Sequence, residues 1–185
     1  MNGKMTKYLK FLLFLQFISF ANALIGYLPI QNSWTVWVSR GVTAGVTFCL
    51  FCLSSQGPRY RKAALFRGLF LLSGFFMGTF PVLAGSFCSL VSSWHEYQGH
   101  CELTAKADQK LCQCWGNLFV LELSVAVLTT LASFLVSMVV VLTSGNQDVD
   151  LSQNTLIWLF TFLANFVDIL YLVYMHRTIR LCEAQ

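Results

Sequence analysis

Charge is what this sequence has least of. Asp, Glu, Lys and Arg together make up 11% of its 185 residues, against about 25% in an ordinary soluble domain, which must cover its core with a wetted surface. The same shortage argues against a disordered chain, a nucleic-acid binder and a disulfide-dense secreted scaffold. Catalytic signatures are missing as well. There is no G-x-S-x-G, no P-loop, no H-E-x-x-H and no glycine-rich dinucleotide fingerprint, so nothing in the sequence argues positively for an enzyme or a cofactor. No N-x-S/T sequon occurs, and there is no internal repeat, low-complexity tract or soluble domain.

What is present is apolar. Hydrophobic residues are 56% of the chain, aromatics 15%, and mean hydropathy is +0.64. A helix needs about 20 mostly apolar residues to cross a hydrocarbon core of about 30 Å. Five segments meet or approach that length, at about 11–30, 34–53, 63–93, 118–142 and 156–175. The expectation is a single all-α integral membrane domain over 1–185, a bundle of five transmembrane helices. Lipid cannot satisfy unpaired backbone groups, and no alternating ten-residue pattern suggests a barrel. The first segment has a rival reading. Lys4, Lys7 and Lys10 precede an apolar run that ends in Ala21-Asn22-Ala23, the form of a signal peptide cut after Ala23. Cleavage would leave four spans.

Lys and Arg gather on the cytoplasmic side of membrane helices. Lys4, Lys7 and Lys10 lead the chain, and Arg59, Arg61 and Lys62 sit in the second loop, whereas the first loop, 31–33, has none. These predict a cytoplasmic N-terminus, in the plasma membrane. The long polar stretch 94–117 then falls outside. The end of the chain fits less well: Asp148 and Asp150 fall inside, Arg177 and Arg180 outside. A re-entrant passage in the third segment or the long loop would repair this. Trp34, Trp37, Trp94, Trp115 and Trp158 lie near the proposed helix ends, as an aromatic belt would. Pro81 is expected to kink the long third segment. G-x-x-x-G pairs, Gly41 with Gly45 and Gly74 with Gly78, allow close helix approach.

A charge at the centre of a bilayer costs about 2.5–3.5 kcal/mol or more, so each needs a partner or a purpose. Arg40, Glu122 and Asp168 stand out. In the five-span topology they fall roughly 6–11 Å below the outer boundary, with Asn22 and Asn165 near the same level. The structural expectation is an ion-paired cluster that holds the helices in register. The functional one is a small cavity binding a cation, a proton or a polar solute. Arg67 is expected to snorkel to the inner headgroups, and Gln16 to hydrogen-bond to a neighbouring helix.

The seven cysteines offer other chemistry. Cys49 and Cys52 form a C-x-x-C, and the polar stretch contributes Cys101, Cys112 and Cys114, candidates for one disulfide. His95 and His100 add a possible zinc site, against which the single residue between Cys112 and Cys114 argues. A membrane thiol–disulfide oxidoreductase would need the C-x-x-C to meet the loop cysteines. In the five-span topology the two sets are separated by about 30 Å of bilayer, too far for sulfur to attack sulfur. Cys49 and Cys52 then read as packing residues. The leading expectation is a non-enzymatic accessory subunit or small carrier, and the alternative is the oxidoreductase. Expected partners are membrane lipid and possible company from another membrane protein or a second copy, with no nucleic acid.

Overall fold

The computed structural model describes residues 3–25, 34–76, 78–144 and 155–184. The described residues form six α-helices and no strand: α1 Gly3–Ile25, α2 Trp34–Leu53, α3 Pro58–Ser73, α4 Thr79–Thr104, α5 Gln109–Ser144 and α6 Thr155–Glu183. A short 3-10 turn, Ser54–Gln56, links α2 to α3. Three of these helices, α1, α2 with its following turn, and the Gln109–Val139 part of α5, are long and apolar enough to cross a membrane. The outer surface agrees with a lipid surrounding. Phe14, Phe17, Phe48, Phe51, Phe80 and Phe134 are all exposed, which water would penalise and hydrocarbon does not.

The third apolar segment, 63–93, is not one helix but parts of two. Helix α3 begins with Pro58 in its first turn, where a missing N–H costs nothing. It ends at Ser73, and Gly74 caps it. Gly78 then takes φ +122°, a conformation open to glycine and strained for other residues, and α4 starts at Thr79. Pro81 therefore lies in the first turn of α4 and does not kink a long span. The two helices run antiparallel in close contact. A Cβ on Gly85 would meet Ser73, and one on Gly99 would lie 2.9 Å from the Tyr60 ring. Ser92 donates its hydroxyl to the Ala63 carbonyl at 2.9 Å.

The stretch 94–117, expected as a polar loop, is mostly helix. Helix α4 continues to Thr104, a short turn follows, and Asp108 caps α5 by accepting the Leu111 N–H at 3.0 Å. Each helix packs against the next, and α6 returns to α1, closing a ring. Lys10 meets Glu183 at 2.6 Å across that closure. Cleavage after Ala23 would remove a helix whose Leu9 and Leu12 are fully buried in the core.

One break in the third segment reverses the direction of everything after it. The α4–α5 turn lies at the same end of the bundle as the chain's start, and so does the end of α6. Of the 12 Lys and Arg residues, only Arg40 and Arg67 lie away from this basic end. The misfit of Arg177 and Arg180 therefore disappears, and Arg177 reaches Asp108 at 3.9 Å. Residues 26–33, Asp148 and Asp150, and the side chain of Trp158, lie outside the described residues. Among the glycine pairs, Gly45 faces Leu15 on α1, Gly41 meets nothing within 4 Å, and Gly74 and Gly78 belong to the turn. Trp115 is no belt residue, for it is fully buried in the core.

Candidate functional site

Inside the ring, between α3, α4, α5 and α6, polar side chains meet in two connected groups. The first centres on Glu96 of α4, which is fully buried. Arg67 of α3 donates Nη2–H to Glu96 Oε2 at 3.2 Å. Tyr171 of α6 donates its hydroxyl to Oε1. His100, one turn further along α4, places Nε2 3.8 Å from Oε1, and its Nδ1 lies 2.9 Å from the Tyr60 hydroxyl. Aromatic rings wall this knot. Trp115 stacks within 4.6 Å of the His100 ring, touches Tyr97 and Tyr171, and donates Nε1–H to Thr178 at 3.1 Å.

The second group is a cavity of about 610 Å³ lined by Phe70, Ser86, Tyr97, Glu122, Thr129 and Asp168, among others. Glu122 Oε1 accepts the Ser93 hydroxyl at 3.1 Å, and Tyr97 lines the same cavity. Its Oε2 is buried without a hydrogen-bond partner. Asp168 lies across the cavity, within Coulombic reach of Glu122. Among the described residues, no Lys, Arg or His lines the space. Ser86, Thr129 and Thr130 donate their hydroxyl protons to carbonyls of their own helices at 3.0, 2.7 and 2.8 Å. The remaining capacity of these three is lone pairs, whereas the Ser89 hydroxyl is left able to donate as well as accept.

Of the five polar residues singled out in the sequence, the structure brings Glu122 and Asp168 together. Arg40 stands apart on the exposed side of α2. It donates to the Gly74 carbonyl at 2.9 Å and lies over the rings of Trp37 and Phe75. Asn22 donates to the Thr35 carbonyl at 3.2 Å and ties α1 to α2. Asn165 is half-buried on α6 and does not line the cavity. The cation of the site is Arg67. It does not snorkel, because the buried carboxylate of Glu96 holds it.

Glu96 escaped the sequence reading, and His100 was read only as a zinc candidate, because 94–117 looked like a solvated loop; Tyr60, in the second loop, was not singled out. A signal was there. Ser86, Ser89, Ser93, Glu96 and His100 recur at alternating intervals of three and four residues, which puts them on one helical face.

Cys101 and Cys112 are joined by a disulfide, and Cys114 is a free thiol. His95 stacks on Phe66 and His100 belongs to the Glu96 knot, so neither joins the cysteines. No group of three His, Cys, Asp or Glu side chains among the described residues is arranged to hold a metal ion. Cys49 and Cys52 end α2 at the basic end, the same end as Cys101, Cys112 and Cys114. The separation expected from five spans does not exist, because the break at Gly78 returns the chain. No protein-family model, curated protein or solved structure matches this chain.

Proposed function

We propose that the chain is a small membrane carrier that binds a cationic solute in the Glu122–Asp168 cavity. All six helices cross the bilayer in this reading, with the basic end and the N-terminus in the cytoplasm and the plasma membrane as the setting. The positive-inside rule supports that orientation, since it now accounts for both ends of the chain. The observation that carries the function is the unpaired, buried Glu122 Oε2 beside a cavity that Asp168 also lines. Acidic side chains inside a membrane, facing a cavity, mark substrate and ion pathways. The volume suits a small organic molecule, and Phe70, Leu90 and Val167 suit its apolar body. An organic ammonium or phosphonium ion has that combination.

The test uses the full chain in detergent and titrates it with tetraphenylphosphonium by calorimetry. Saturable binding is expected. Glu122→Gln or Asp168→Asn should weaken it by about thirtyfold, roughly 2 kcal/mol, because each removes a charge facing the cation. Arg40→Gln should leave it unchanged. No saturable binding, or binding indifferent to both acids, overturns the reading.

A second reading is favoured by one observation, the gathering of cysteines at the basic end. With that end in the cytoplasm, the Cys101–Cys112 bond would sit in a reducing compartment, where disulfides are mostly transient and catalytic. A thiol–disulfide oxidoreductase would pass the bond between Cys101–Cys112 and Cys49–Cys52. Cys112→Ser leaves Cys101 without its partner. In that reading, after exposure to oxidised glutathione as the two-electron oxidant, mass spectrometry of the alkylated protein finds Cys101 bridged to Cys52 or Cys49. A Cys101 thiol that stays free in this variant removes the oxidoreductase reading.

A further inference from the structure

The polar face of α4 does not stop at the cavity. From Ser86 to His100 it extends about 21 Å at 1.5 Å per residue, enough to cross most of a hydrocarbon core. At its far end Tyr60 and His100 lie near the basic end of the bundle. Continuous polar stripes are expensive inside a membrane, and a knot that merely held helices together would be satisfied throughout. This one is not. His100 Nε2, Arg67 Nε and Glu122 Oε2 are all buried and have no hydrogen-bond partner. These three belong to the cavity and the Glu96 knot, and two further buried unpaired atoms, Asn22 Oδ1 and His95 Nδ1, lie outside that group.

Resting on the carrier reading, we infer that this face of α4 is a proton path from the Glu122–Asp168 cavity to the basic end, with Glu96, His100 and Tyr60 as its successive proton-holding groups. Glu122 and Glu96 lie within Coulombic reach of each other and of Arg67. Ser93, which holds Glu122, precedes Glu96 by about 4.5 Å along the helix axis. One guanidinium thus serves Glu96 and Glu122, while the charged neighbour of Asp168 is Glu122, and three carboxyl groups leave capacity for protons. The groups facing His100 are Tyr60 from α3, Glu96 from its own helix, Trp115 from α5 and Tyr171 from α6. Cys49 of α2 lies within Coulombic reach of Glu96.

The proton count closes. A proton that enters the acid pair from the cavity mouth, or that a cation displaces from it, passes to the Glu96 carboxylate. Glu96 delivers it to His100 Nε2, the imidazole releases its Nδ1–H to the Tyr60 oxygen, and Tyr60 gives up its own hydroxyl proton. That proton leaves toward Glu102, a half-exposed carboxylate within Coulombic reach of Tyr60 and paired with Arg59 at 3.1 Å. One proton enters and one leaves. The path resets when the His100 ring returns to its Nδ1–H tautomer.

The test reads protons and needs no solute. The full chain is reconstituted in vesicles of phosphatidylcholine and phosphatidylglycerol with pyranine inside. A pH gradient is imposed with the potential clamped by potassium and valinomycin. Wild-type protein is expected to move protons faster than protein-free vesicles. Tyr60→Phe and His100→Gln should each slow that flux by about a hundredfold, the weight of a positioned proton-transfer group. Tyr60→Phe keeps the ring against Gly99, so its fold is preserved and its flux interpretable even where His100→Gln misfolds. A purely structural knot would lower the melting temperature without touching flux per folded protein. Wild-type flux no greater than protein-free vesicles, or flux unchanged in Tyr60→Phe, overturns the path. Flux that depends on Tyr60, in a protein that fails to bind tetraphenylphosphonium, keeps the path and removes the cation carrier.

Discussion

Glu96→Leu is expected to destabilise the bundle by about 3–5 kcal/mol, read as a fall in the thermal midpoint of the full chain in detergent. The reason lies in what remains behind. Arg67 is mostly buried, its Nη2 hydrogen bond goes to Glu96, and its Nε has no other partner. Arginine keeps its proton at any relevant pH, so removing the carboxylate strands a full charge between α3 and α4. Leucine also leaves the Tyr171 hydroxyl without its acceptor. Arg67→Met should cost less. The carboxylate left behind retains Tyr171 and His100 and is able to take up a proton, whereas the stranded guanidinium is unable to lose one. The double variant should recover part of the loss, since replacing both partners of a buried pair by apolar groups is far milder than breaking it. Equal costs for the two single variants would show that Arg67 is in fact solvated through the headgroup region.

Trp115→Ala should cost a similar amount, about 3–5 kcal/mol. Trp115 is fully buried and joins α4, α5 and α6 through contacts with Tyr97, His100, Tyr171 and Tyr174. Inside a membrane, helix association rests on packing rather than on expulsion of water, so lost contacts are not replaced. Trp37→Ala provides the contrast. That ring is exposed and its one recorded partner is Arg40, at 5.1 Å. Lipid chains fill the space it vacates, and the loss should be about 1 kcal/mol or less. Trp115→Phe should retain most of the packing and lose the hydrogen bond to Thr178, about 1 kcal/mol. A Trp115→Ala variant as stable as Trp37→Ala would mean that the aromatic wall around His100 is not packed as described.

Composition and hydropathy alone determined that the chain is helical and has segments able to cross a membrane. Each helix satisfies its own backbone, so that property depends on local sequence. Glu122 and Asp168 were also legible, because an acid inside an apolar run needs an explanation wherever the run packs. Topology was not legible. It depended on the turn at Gly78, where a positive φ reverses the chain and so decides the end of the bundle at which every later turn lies. One reversal moved the cysteines of 101–114 to the end that holds Cys49 and Cys52, and brought Arg177 and Arg180 to the basic end.

The site's cation was likewise hidden. Arg67 and Glu96 are separated by 29 residues, and Glu96 and Tyr171 by 75. No local periodicity pairs residues so far apart. The three-and-four spacing of Ser86, Ser89, Ser93, Glu96 and His100 was in the sequence all along. It acquired meaning only when the packing of α3, α5 and α6 buried its Ser93, Glu96 and His100 part. Sequence decides which side chains share a helical face, since 3.6 residues per turn is a property of the backbone. Tertiary structure decides what that face meets, because that depends on burying it against partners from distant parts of the chain.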